Sequence, residues 1–380
     1  MTRMRNELVI IGGGIIGLFS AYFATELGLK DIVLVEKKYL GSGSTFRCAT
    51  GIRASFTTEE HITLQKESIE LWKKLSKQLG FYYVQGGYIW LFRKDEQLKA
   101  FSEYSKLHNK YGVPTRIITP EEIREKVPVI NLEGIIGGLF DPIAGKANPF
   151  GVVYALAEEL RKRGVKIQTR TKVHRIMIEN NKIKGVSTDS GEIEAEKVLI
   201  AAGYGSREIA KTAGVDLPLR NVPHHALITE KFKEAFKPLL IDWTYSAYIV
   251  QVEAGGFLMG MDVEEKPNQP LYQRNDFIPR MARVAVRLFP WMRNVNVLRY
   301  WPGYYVMSPD SHPILGPIEE VDGLFVATGF SGHGFMMSPI AGEVIAEWLV
   351  DGKTRHKIAE NLTLRRIKEG RLIHEKAVFG

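Results

Sequence analysis

The sequence predicts an α/β protein whose two domains are interleaved along the chain. Residues 6–36 read as strand, glycine-rich turn, helix and strand, the pattern of a parallel sheet covered by helices. Short apolar runs typical of buried strands recur far along the chain, and the segments between them read as strands of a second, mostly antiparallel sheet. Because no low-complexity linker and no internal repeat separates the two groups, we expect an α/β domain interleaved with an α+β domain.

Composition and charge favour a globular protein that binds small molecules. The chain has 380 residues, of which 45% are hydrophobic and 25% charged, and it is longer than a single ordinary core requires. Its 51 basic and 43 acidic residues give a net charge of +8, but basic residues alternate with glutamates along predicted helices such as 66–77. A nucleic-acid binder is a poor fit, since no basic stripe with interleaved aromatic residues is present. The mild basic excess suits anionic cofactors and substrates.

The single cysteine and the uncharged stretch near the N-terminus bear on location. With Cys48 alone, no intramolecular disulfide can form, which fits a reducing compartment. Residues 8–25 carry no charge, but four glycines and a serine interrupt them, so they read as a strand, a loop and a helix. We therefore expect a cytoplasmic protein without a transmembrane segment, with any membrane association made through partner subunits.

The N-terminal unit is the most regular part of the pattern. The apolar run 8–11 predicts a strand buried on both faces, and the run 32–35 predicts its parallel neighbour. Between them, the segment 14–27 predicts a helix that stops near Gly28.

The remaining elements follow from local periodicity and capping signals. Thr119 is placed to cap a short helix that has Pro120 at its first position and two glutamates in its first turn. The predicted helices after the first unit lie at 58–80, 95–111, 120–126, 148–164 and 338–350. The predicted strands lie at 81–92, 165–168, 172–176, 197–203, 224–230, 247–261 and 324–328, with a hairpin turn at 179–182.

A dinucleotide-binding motif lies between the first strand and the first helix. In the run from Gly12 to Gly17, the first glycine permits the tight turn, Gly14 lets the backbone approach a phosphate, and Gly17 lets the helix pack close to the strand. Together with Ile15 and Ile16, the helix N-terminus offers N–H groups and a favourable dipole to a pyrophosphate. Glu36 ends the next strand and can accept hydrogen bonds from a ribose, which disfavours NADP. NAD and FAD remain open at this point.

A second glycine-rich segment near the other end of the chain favours FAD. It comprises residues 329–336 and opens a predicted helix with Gly332, His333, Gly334, Phe335 and Met336. If the chain folds back on itself, backbone N–H groups at this helix start meet the reactive end of the same cofactor. Such groups stabilise the negative charge of a reduced flavin. The two segments together favour a flavoenzyme.

Over nearly its whole length the chain resembles the D-amino-acid oxidase superfamily of FAD-dependent amine oxidoreductases. It is most similar to the glycine and sarcosine oxidase branch, and to the β subunits of heteromeric sarcosine oxidases and archaeal dye-linked L-proline dehydrogenases. The segments that carry the resemblance are 9–17 with Glu36, 41–47, 51–53, 145–149, 201–203, 301–305, 308–313 and 329–336. The resemblance implies a Rossmann-like FAD-binding domain of the GR2 type over 1–80, 146–218 and 310–380. It implies a substrate domain over 81–145 and 219–309.

The same resemblance implies contacts to the cofactor. Ser44 and Thr45 are expected along the flavin and ribityl chain, Val173 at the adenine, and the segment 332–336 at the pyrimidine end of the flavin. Further contacts are expected at Lys37, Arg47, Ala202, Gly203 and Gly303.

Four departures from the family pattern modify this expectation. Gly303 stands where a cysteine holds FAD covalently in monomeric sarcosine oxidases, so we expect non-covalent FAD. Leu258 replaces the lysine that activates oxygen, which predicts a dehydrogenase with poor oxygen reactivity. Ala147 replaces the histidine that carries covalent FMN, so any FMN at a subunit interface would be non-covalent. Met336 replaces the lysine that binds the substrate carboxylate.

We expect few catalytic residues, because hydride transfer from an amine to a flavin requires the substrate to be held in position rather than acid–base catalysis by side chains. Arg53 matches the carboxylate-binding arginine of the sarcosine oxidase branch, and a guanidinium fork suits a carboxylate. His224, Tyr248, Tyr304 and Met336 are expected around the substrate, with Tyr305 as a further wall. Because His224 and His225 are adjacent on a strand, they face opposite sides and cannot bind one metal ion together. No metal site is predicted.

Three hypotheses about function follow. The first is an FAD-dependent dehydrogenase that oxidises a secondary amine such as L-proline or sarcosine by hydride transfer to flavin N5. It would act as the catalytic β subunit beside an electron-transfer α subunit, or as a homo-oligomer. The second keeps the fold and makes the protein a glycine or D-amino-acid oxidase that produces peroxide. The third is a flavin-binding subunit that relays electrons or scaffolds a complex.

Overall fold

The computed structural model describes residues 5–377 of the chain. The predicted FAD-binding segments also include residues 1–4 and 378–380, which lie outside the described residues. The helices within this range are α1 Ile15–Glu26, α2 Glu59–Leu79, α3 Asp95–Lys110, α4 Pro120–Lys126, α5 Pro149–Lys162, α6 Ser206–Lys211, α7 Phe277–Leu288, α8 Gly334–Asp351 and α9 Leu364–Lys368. None of these helices combines the length and the apolar character needed to span a membrane.

The strands of residues 5–377 form three sheets. In chain order they are β1 Asn6–Ile11, β2 Ile32–Val35, β3 Gly51–Ile52, β4 Tyr83–Val84, β5 Tyr88–Phe92, β6 Arg116–Ile118, β7 Gly137–Asp141, β8 Gly145–Ala147, β9 Lys166–Gln168, β10 Val173–Glu179, β11 Lys182–Thr188, β12 Gly191–Ile200, β13 Arg220–Lys231, β14 Leu239–Asp242, β15 Ala247–Gln251, β16 Gly256–Met261, β17 Val297–Met307, β18 Ile314–Pro317 and β19 Leu324–Thr328.

The first sheet has a parallel centre with antiparallel additions at one side. Strands β9, β2, β1, β12 and β19 run parallel in that order, while β10 and β11 extend β12 as an antiparallel meander and β18 pairs antiparallel with β19. Helices α1 and α8 pack against each other, and α1 also packs on α5. Nine of the twelve residues of α1 are buried. The uncharged N-terminal stretch is therefore the strand–loop–helix unit of this sheet.

The second sheet is almost wholly antiparallel. Its order is β17, β13, β16, β15, β14, β5, β7 and β6, and only the β14–β5 pair is parallel. A small third sheet has the strand order β3–β8–β4. It connects the first and second sheets along the chain, since β3 follows the first β–α–β unit and β4 comes directly before β5 of the second sheet. This is the predicted fold class, an α/β unit interleaved with an α+β unit.

Several elements have no counterpart among the predicted ones, including helices α6, α7 and α9 and strands β6, β7, β14, β17 and β18. Helix α7 buries Phe277, Met281, Val284, Ala285 and Leu288, a helical spacing that is visible in the sequence. Strand β17 contains Pro302 and Gly303 and is mostly half-exposed, so it shows no clear alternation. It lies at the edge of the second sheet, where a proline removes no hydrogen bond that the ladder needs.

Candidate active site

A cavity of about 490 Å³ opens between the first and second sheets. Residues at the carboxyl ends of β1, β2, β12 and β19 line one side, and residues of β5, β13, β14, β15 and β17 line the other. Of the predicted site residues, all but Gly17 line this cavity. Gly17 instead permits α1 to pack on the turn, since a Cβ there would lie 2.1 Å from the Gly12 carbonyl oxygen.

The first glycine turn leaves a helix N-terminus open toward the cavity. Gly12 has φ +117°, and a Cβ at this position would lie 2.3 Å from the carbonyl oxygen of Ala201. Helix α1 then begins without a side-chain cap at Gly14 and without an acidic residue in its first turn. The Ile15 N–H donates to Thr45 Oγ1 at 3.0 Å, which joins the turn to the next loop. The turn therefore offers an anion site and excludes side chains from it.

Glu36 lines the cavity and also accepts hydrogen bonds that stabilise the glycine turn before α1. One carboxylate oxygen accepts from the Gly13 N–H at 2.9 Å. The other accepts from the Lys38 N–H at 2.8 Å and from the Ser42 hydroxyl at 3.3 Å. A carboxylate has about four acceptor positions, so capacity for a ribose hydroxyl is left.

The loop that follows β2 closes over the turn through polar contacts. The Arg47 guanidinium donates to the carbonyl oxygens of Ser42 and Gly43. The Ser44 hydroxyl donates to the Tyr304 carbonyl at 2.8 Å, which ties the loop to β17. The Arg47 side chain also packs on Gly303, where a Cβ would lie 3.1 Å from the arginine Cβ. Burial raises the pKa of the neighbouring Cys48 thiol to about 12, so this thiol stays protonated at neutral pH.

The second glycine-rich segment opens another helix N-terminus toward the same cavity. Gly332 has φ +88°, and a Cβ there would lie 2.3 Å from the Tyr305 ring. Helix α8 begins at Gly334 without a side-chain cap and without an acidic residue in its first turn. The Met336 carbonyl accepts from Ser68 Oγ at 2.6 Å and from Trp72 Nε1 at 3.0 Å, which fixes the helix start against α2.

Aromatic and aliphatic side chains of the second sheet form the opposite wall. His224 stacks on Tyr305 with ring centroids 3.8 Å apart, while Tyr248 lies over Gly260. Three further wall residues, Tyr88, Leu239 and Ile241, were not predicted, because their place in the wall depends on strand order rather than on a local motif. His225 also contributes to the cavity lining, while its ring nitrogens contact Glu265 and the Tyr300 hydroxyl.

Arg53 is a buried cation in this wall. Its side chain donates from Nη1 to the Ser55 carbonyl and from Nη2 to the Ala377 carbonyl, each at 2.6 Å, and its guanidinium lies 3.7 Å over the Phe56 ring. The residue is 3% exposed. Burial lowers the pKa of Arg53 to about 10, while Tyr88 and then Glu375 act in the opposite direction. Within residues 5–377 Arg53 forms no salt bridge. A bound anion could therefore form one with its guanidinium.

Two positions where the sequence departs from the family pattern do not line the cavity. Leu258 is buried on β16, and Ala147 is buried on β8, where it pairs with Tyr83. The neighbouring Lys146 donates from Nζ to the Gln251 and Lys237 carbonyls. The lysines that do line the cavity are Lys37 and Lys172, beside Glu36 and Val173.

Among the described residues, one group of side chains has the spacing of a metal site. Ligand atoms of His61, His312 and Glu375 lie within 4.8 Å of one another, and all three residues are buried. No sequence motif indicates this group, because its members are far apart in the chain, unlike the adjacent pair of histidines on β13. The carboxylate already accepts hydrogen bonds from Thr57 and Thr58. The absence of a metal site stays a prediction.

Comparison with known proteins places the chain in a family. The sequence model of the family described as FAD dependent oxidoreductase matches residues 7–348. Sarcosine oxidase subunit beta of Rhodobacter capsulatus is 26% identical over 385 residues, which cover 100% of this chain and 92% of that protein. The crystal structure of L-proline dehydrogenase from P. horikoshii matches with a TM-score of 0.94 and 38% identity, covering 97% of this chain and 99% of that one. Glycine oxidase from Bacillus cereus matches with a TM-score of 0.85 and 25% identity, over 93% and 97%.

The chain therefore belongs to the FAD-dependent oxidoreductase family, and its cofactor is FAD. The geometry fits this cofactor, because two uncapped helix N-termini face one cavity and glycines leave space beside both. The first turn and Glu36 would hold the adenosine diphosphate part, and the segment from Gly332 to Met336 would meet the flavin ring.

Proposed function

We propose that the chain is an FAD-dependent amino-acid dehydrogenase that oxidises a secondary amine such as L-proline or sarcosine. The observation that carries the proposal is the position of Arg53, a buried guanidinium in the wall of the cavity that the N-terminus of α8 also faces. An amino acid bound between them has its carboxylate on the arginine and its amine-bearing carbon toward the flavin. The similarity to sarcosine oxidase β subunits and to L-proline dehydrogenase supports this class of substrate.

The chemistry that FAD supplies when bound is acceptance of a hydride equivalent from the carbon next to the substrate nitrogen, after which water hydrolyses the imine. Arg53 has five N–H donors and uses two of them within residues 5–377, which leaves enough for a substrate carboxylate. Tyr88, Ile241 and Tyr248 exclude water, and a dry site favours the neutral amine. The N–H groups at the start of α8 would favour negative charge on a flavin bound there.

The proposal includes non-covalent attachment and poor oxygen reactivity. Gly303 offers no side chain for a covalent bond to FAD. The lysines that line the cavity lie beside Glu36 and Val173, the predicted adenosine end, so within residues 5–377 no lysine lines the predicted flavin end. Without a fixed ammonium there, charge on reduced oxygen lacks the partner that oxidases use. Release of intact FAD on denaturation tests the first point.

We also propose that the chain acts as a catalytic β subunit beside an electron-transfer subunit. The name of the sarcosine oxidase relative identifies it as a beta subunit, and the chain covers 92% of it. Ala147 is buried on β8, so FMN at a subunit interface would be bound without a covalent bond to this position. Copurification of the chain with its partner from the native source, followed by flavin analysis, tests both statements.

The test of substrate class is anaerobic reduction of the flavin by a panel of amino acids. We expect the fastest bleaching with L-proline or sarcosine and little peroxide when the reduced protein meets air. Fastest bleaching with glycine or a D-amino acid, together with rapid peroxide formation, supports the oxidase hypothesis instead. If none of these compounds bleaches the flavin in the purified chain or in the assembled complex, the chain is an electron-relay or scaffold subunit.

A further inference from the structure

The segment at residues 373–377, here called the C-terminal strap, ends beside the proposed substrate site. Its side chains alternate, with Glu375 and Ala377 buried while His374 and Lys376 are exposed. The strap runs across the N-terminus of α2 and meets Arg53 at its last described residue. The strap therefore contacts a residue of the cavity wall directly.

Glu375 fixes the strap to the N-terminus of α2. One carboxylate oxygen accepts from the Thr57 hydroxyl at 2.6 Å and from the Ala377 N–H at 2.8 Å. The other accepts from the Thr58 hydroxyl at 2.9 Å, and the Thr57 N–H lies 3.0 Å from both oxygens. Helix α2 has no side-chain cap of its own at Thr58. The carboxylate therefore lies where the helix dipole favours negative charge.

Backbone contacts fix the strap on its other side. The Glu375 N–H donates to the Asp310 carbonyl at 3.1 Å, and the Ile373 N–H donates to the Asp310 carboxylate at 3.2 Å. Asp310 is itself held by two hydrogen bonds from the Arg366 guanidinium, at 2.8 and 2.9 Å. The Lys376 N–H donates to Thr57 Oγ1 at 3.0 Å. Backbone hydrogen bonds therefore fix the path of the strap in addition to the contacts of the Glu375 carboxylate.

The strap contains one of the two carbonyl oxygens that accept hydrogen bonds from the Arg53 guanidinium. The Ala377 carbonyl binds Nη2, and the Ser55 carbonyl binds Nη1, both at 2.6 Å. Ser55 lies two residues before Thr57, which Glu375 contacts, so both acceptors belong to segments that the Glu375 carboxylate joins. Loss of the Glu375 carboxylate would leave the backbone contacts of residues 373–376 but remove the hydrogen bond that holds the Ala377 N–H, so one of the two acceptors of the guanidinium would be less firmly placed.

We propose that Glu375 is a positioning residue for substrate binding, which acts through the Ala377 carbonyl on Arg53. This proposal rests on the proposed role of Arg53 in binding the substrate carboxylate. The strap then limits how the guanidinium can turn and selects substrates whose carboxylate lies at a set distance from the oxidised carbon. Glu375 itself does not touch the substrate.

The test compares Glu375→Ala with His374→Ala, an exposed neighbour on the same strap, in the FAD-bound full chain. We expect Glu375→Ala to raise the KM for L-proline roughly tenfold, as loss of a single positioning contact does, while the limiting rate of flavin reduction changes less than twofold. The Kd of pyrrole-2-carboxylate, followed by its effect on flavin absorbance, rises by a similar factor. His374→Ala leaves both values unchanged.

A double-mutant cycle with Arg53→Ala separates the two proposals. If Glu375 acts through Arg53, the double variant binds pyrrole-2-carboxylate no more weakly than Arg53→Ala alone. A large effect of Arg53→Ala with none of Glu375→Ala overturns the role of the strap and leaves the proposed function intact. No effect of Arg53→Ala overturns both. Should Glu375→Ala fail to fold, Glu375→Met removes both acceptor oxygens while keeping a side chain of similar length, and a KM equal to that of the wild type then overturns the proposal.

Discussion

Arg53 shows how the fold makes a buried cation available to a substrate. Two backbone carbonyls and the Phe56 ring hold the guanidinium, and they neutralise none of its charge. Although burial lowers its pKa to about 10, Arg53 stays protonated at neutral pH. Glu375 and Asp141 act on this cation without forming a salt bridge to it, and a substrate carboxylate would place negative charge in direct contact with it.

Replacement of Arg53 tests this role at the residue scale. We expect Arg53→Ala to lower kcat/KM for an amino-acid substrate about 100-fold, which corresponds to about 3 kcal/mol for hydrogen bonds to a charged group. Arg53→Lys keeps the charge but not the fork and recovers only part of the loss. Steady-state kinetics with FAD content as a control measures both. Unchanged kcat/KM in Arg53→Ala would show that the carboxylate binds elsewhere.

Gly332 offers a second test at this scale. Its φ of +88° and the Tyr305 ring leave no room for a Cβ, which would lie 2.3 Å from a ring carbon. Gly352 also has a positive φ, +66°, but nothing lies within 4 Å of a Cβ there, so it is a matched control. We expect Gly332→Ala to weaken FAD binding at least tenfold, because Tyr305 or the segment must move, whereas Gly352→Ala keeps it. Fluorescence titration of the apoprotein with FAD measures both, and equal effects of the two changes contradict the assignment.

At the scale of elements, the two helix N-termini organise the site. Helices α1 and α8 pack against each other, yet they start at opposite ends of the sequence, so their packing brings both glycine turns to one cavity. Helix α2 then fixes the start of α8 through Ser68 and Trp72. The geometry of the flavin end thus depends on contacts among three helices.

A charged group links α2 and α8 at their far side. His356 Nδ1 contacts Glu67 of α2 at 2.8 Å, and its Nε2 lies 3.6 Å from Glu343 of α8. These carboxylates raise the pKa of His356 to about 10. Since the folded pKa lies above the unfolded one, the stabilisation is complete below about pH 6.5 and is lost as the pH rises through about 10.

Replacement of His356 should therefore give a destabilisation that depends on pH. We expect His356→Gln to lower the free energy of unfolding by about 2 kcal/mol at pH 6, as for hydrogen bonds between charged groups, and by little at pH 10.5. Denaturant unfolding at the two pH values measures the difference. A loss that is equal at both values, or larger at high pH, is incompatible with a protonated His356.

At the scale of the whole molecule, the cofactor is expected to hold the two units together. The cavity takes its walls from both large sheets, so a bound dinucleotide contacts both. A ligand that binds only the folded state stabilises it by about 2.7 kcal/mol at a concentration of 100 times its Kd. We expect FAD to raise the Tm of the apoprotein, and FMN, which lacks the adenosine part, to raise it much less. Equal shifts with both flavins would show that the first glycine turn and Glu36 contribute little.

Sequence patterns predicted those features of the molecule that are set by residue spacing within one segment of the chain. The turn at Gly12 and the place of Glu36 directly after β2 follow from the spacing within a single β–α–β unit. Helix α8 was predicted at 338–350 and begins four residues earlier, at Gly334. The walls at Tyr88 and Ile241 and the strap at Glu375 depend on pairings between distant segments, so no local pattern reveals them. Gly17 was predicted to allow close packing of the helix, which it does, and it does not itself line the cavity.

The most direct test of the central claim is the absorbance spectrum of the purified, FAD-bound chain before and after L-proline is added under nitrogen. The account predicts that the flavin band bleaches, that sarcosine acts similarly or more slowly, and that Arg53→Ala requires a much higher concentration. A flavin that stays oxidised with L-proline and sarcosine, in a protein that holds FAD, would contradict the claim that this cavity oxidises secondary amines.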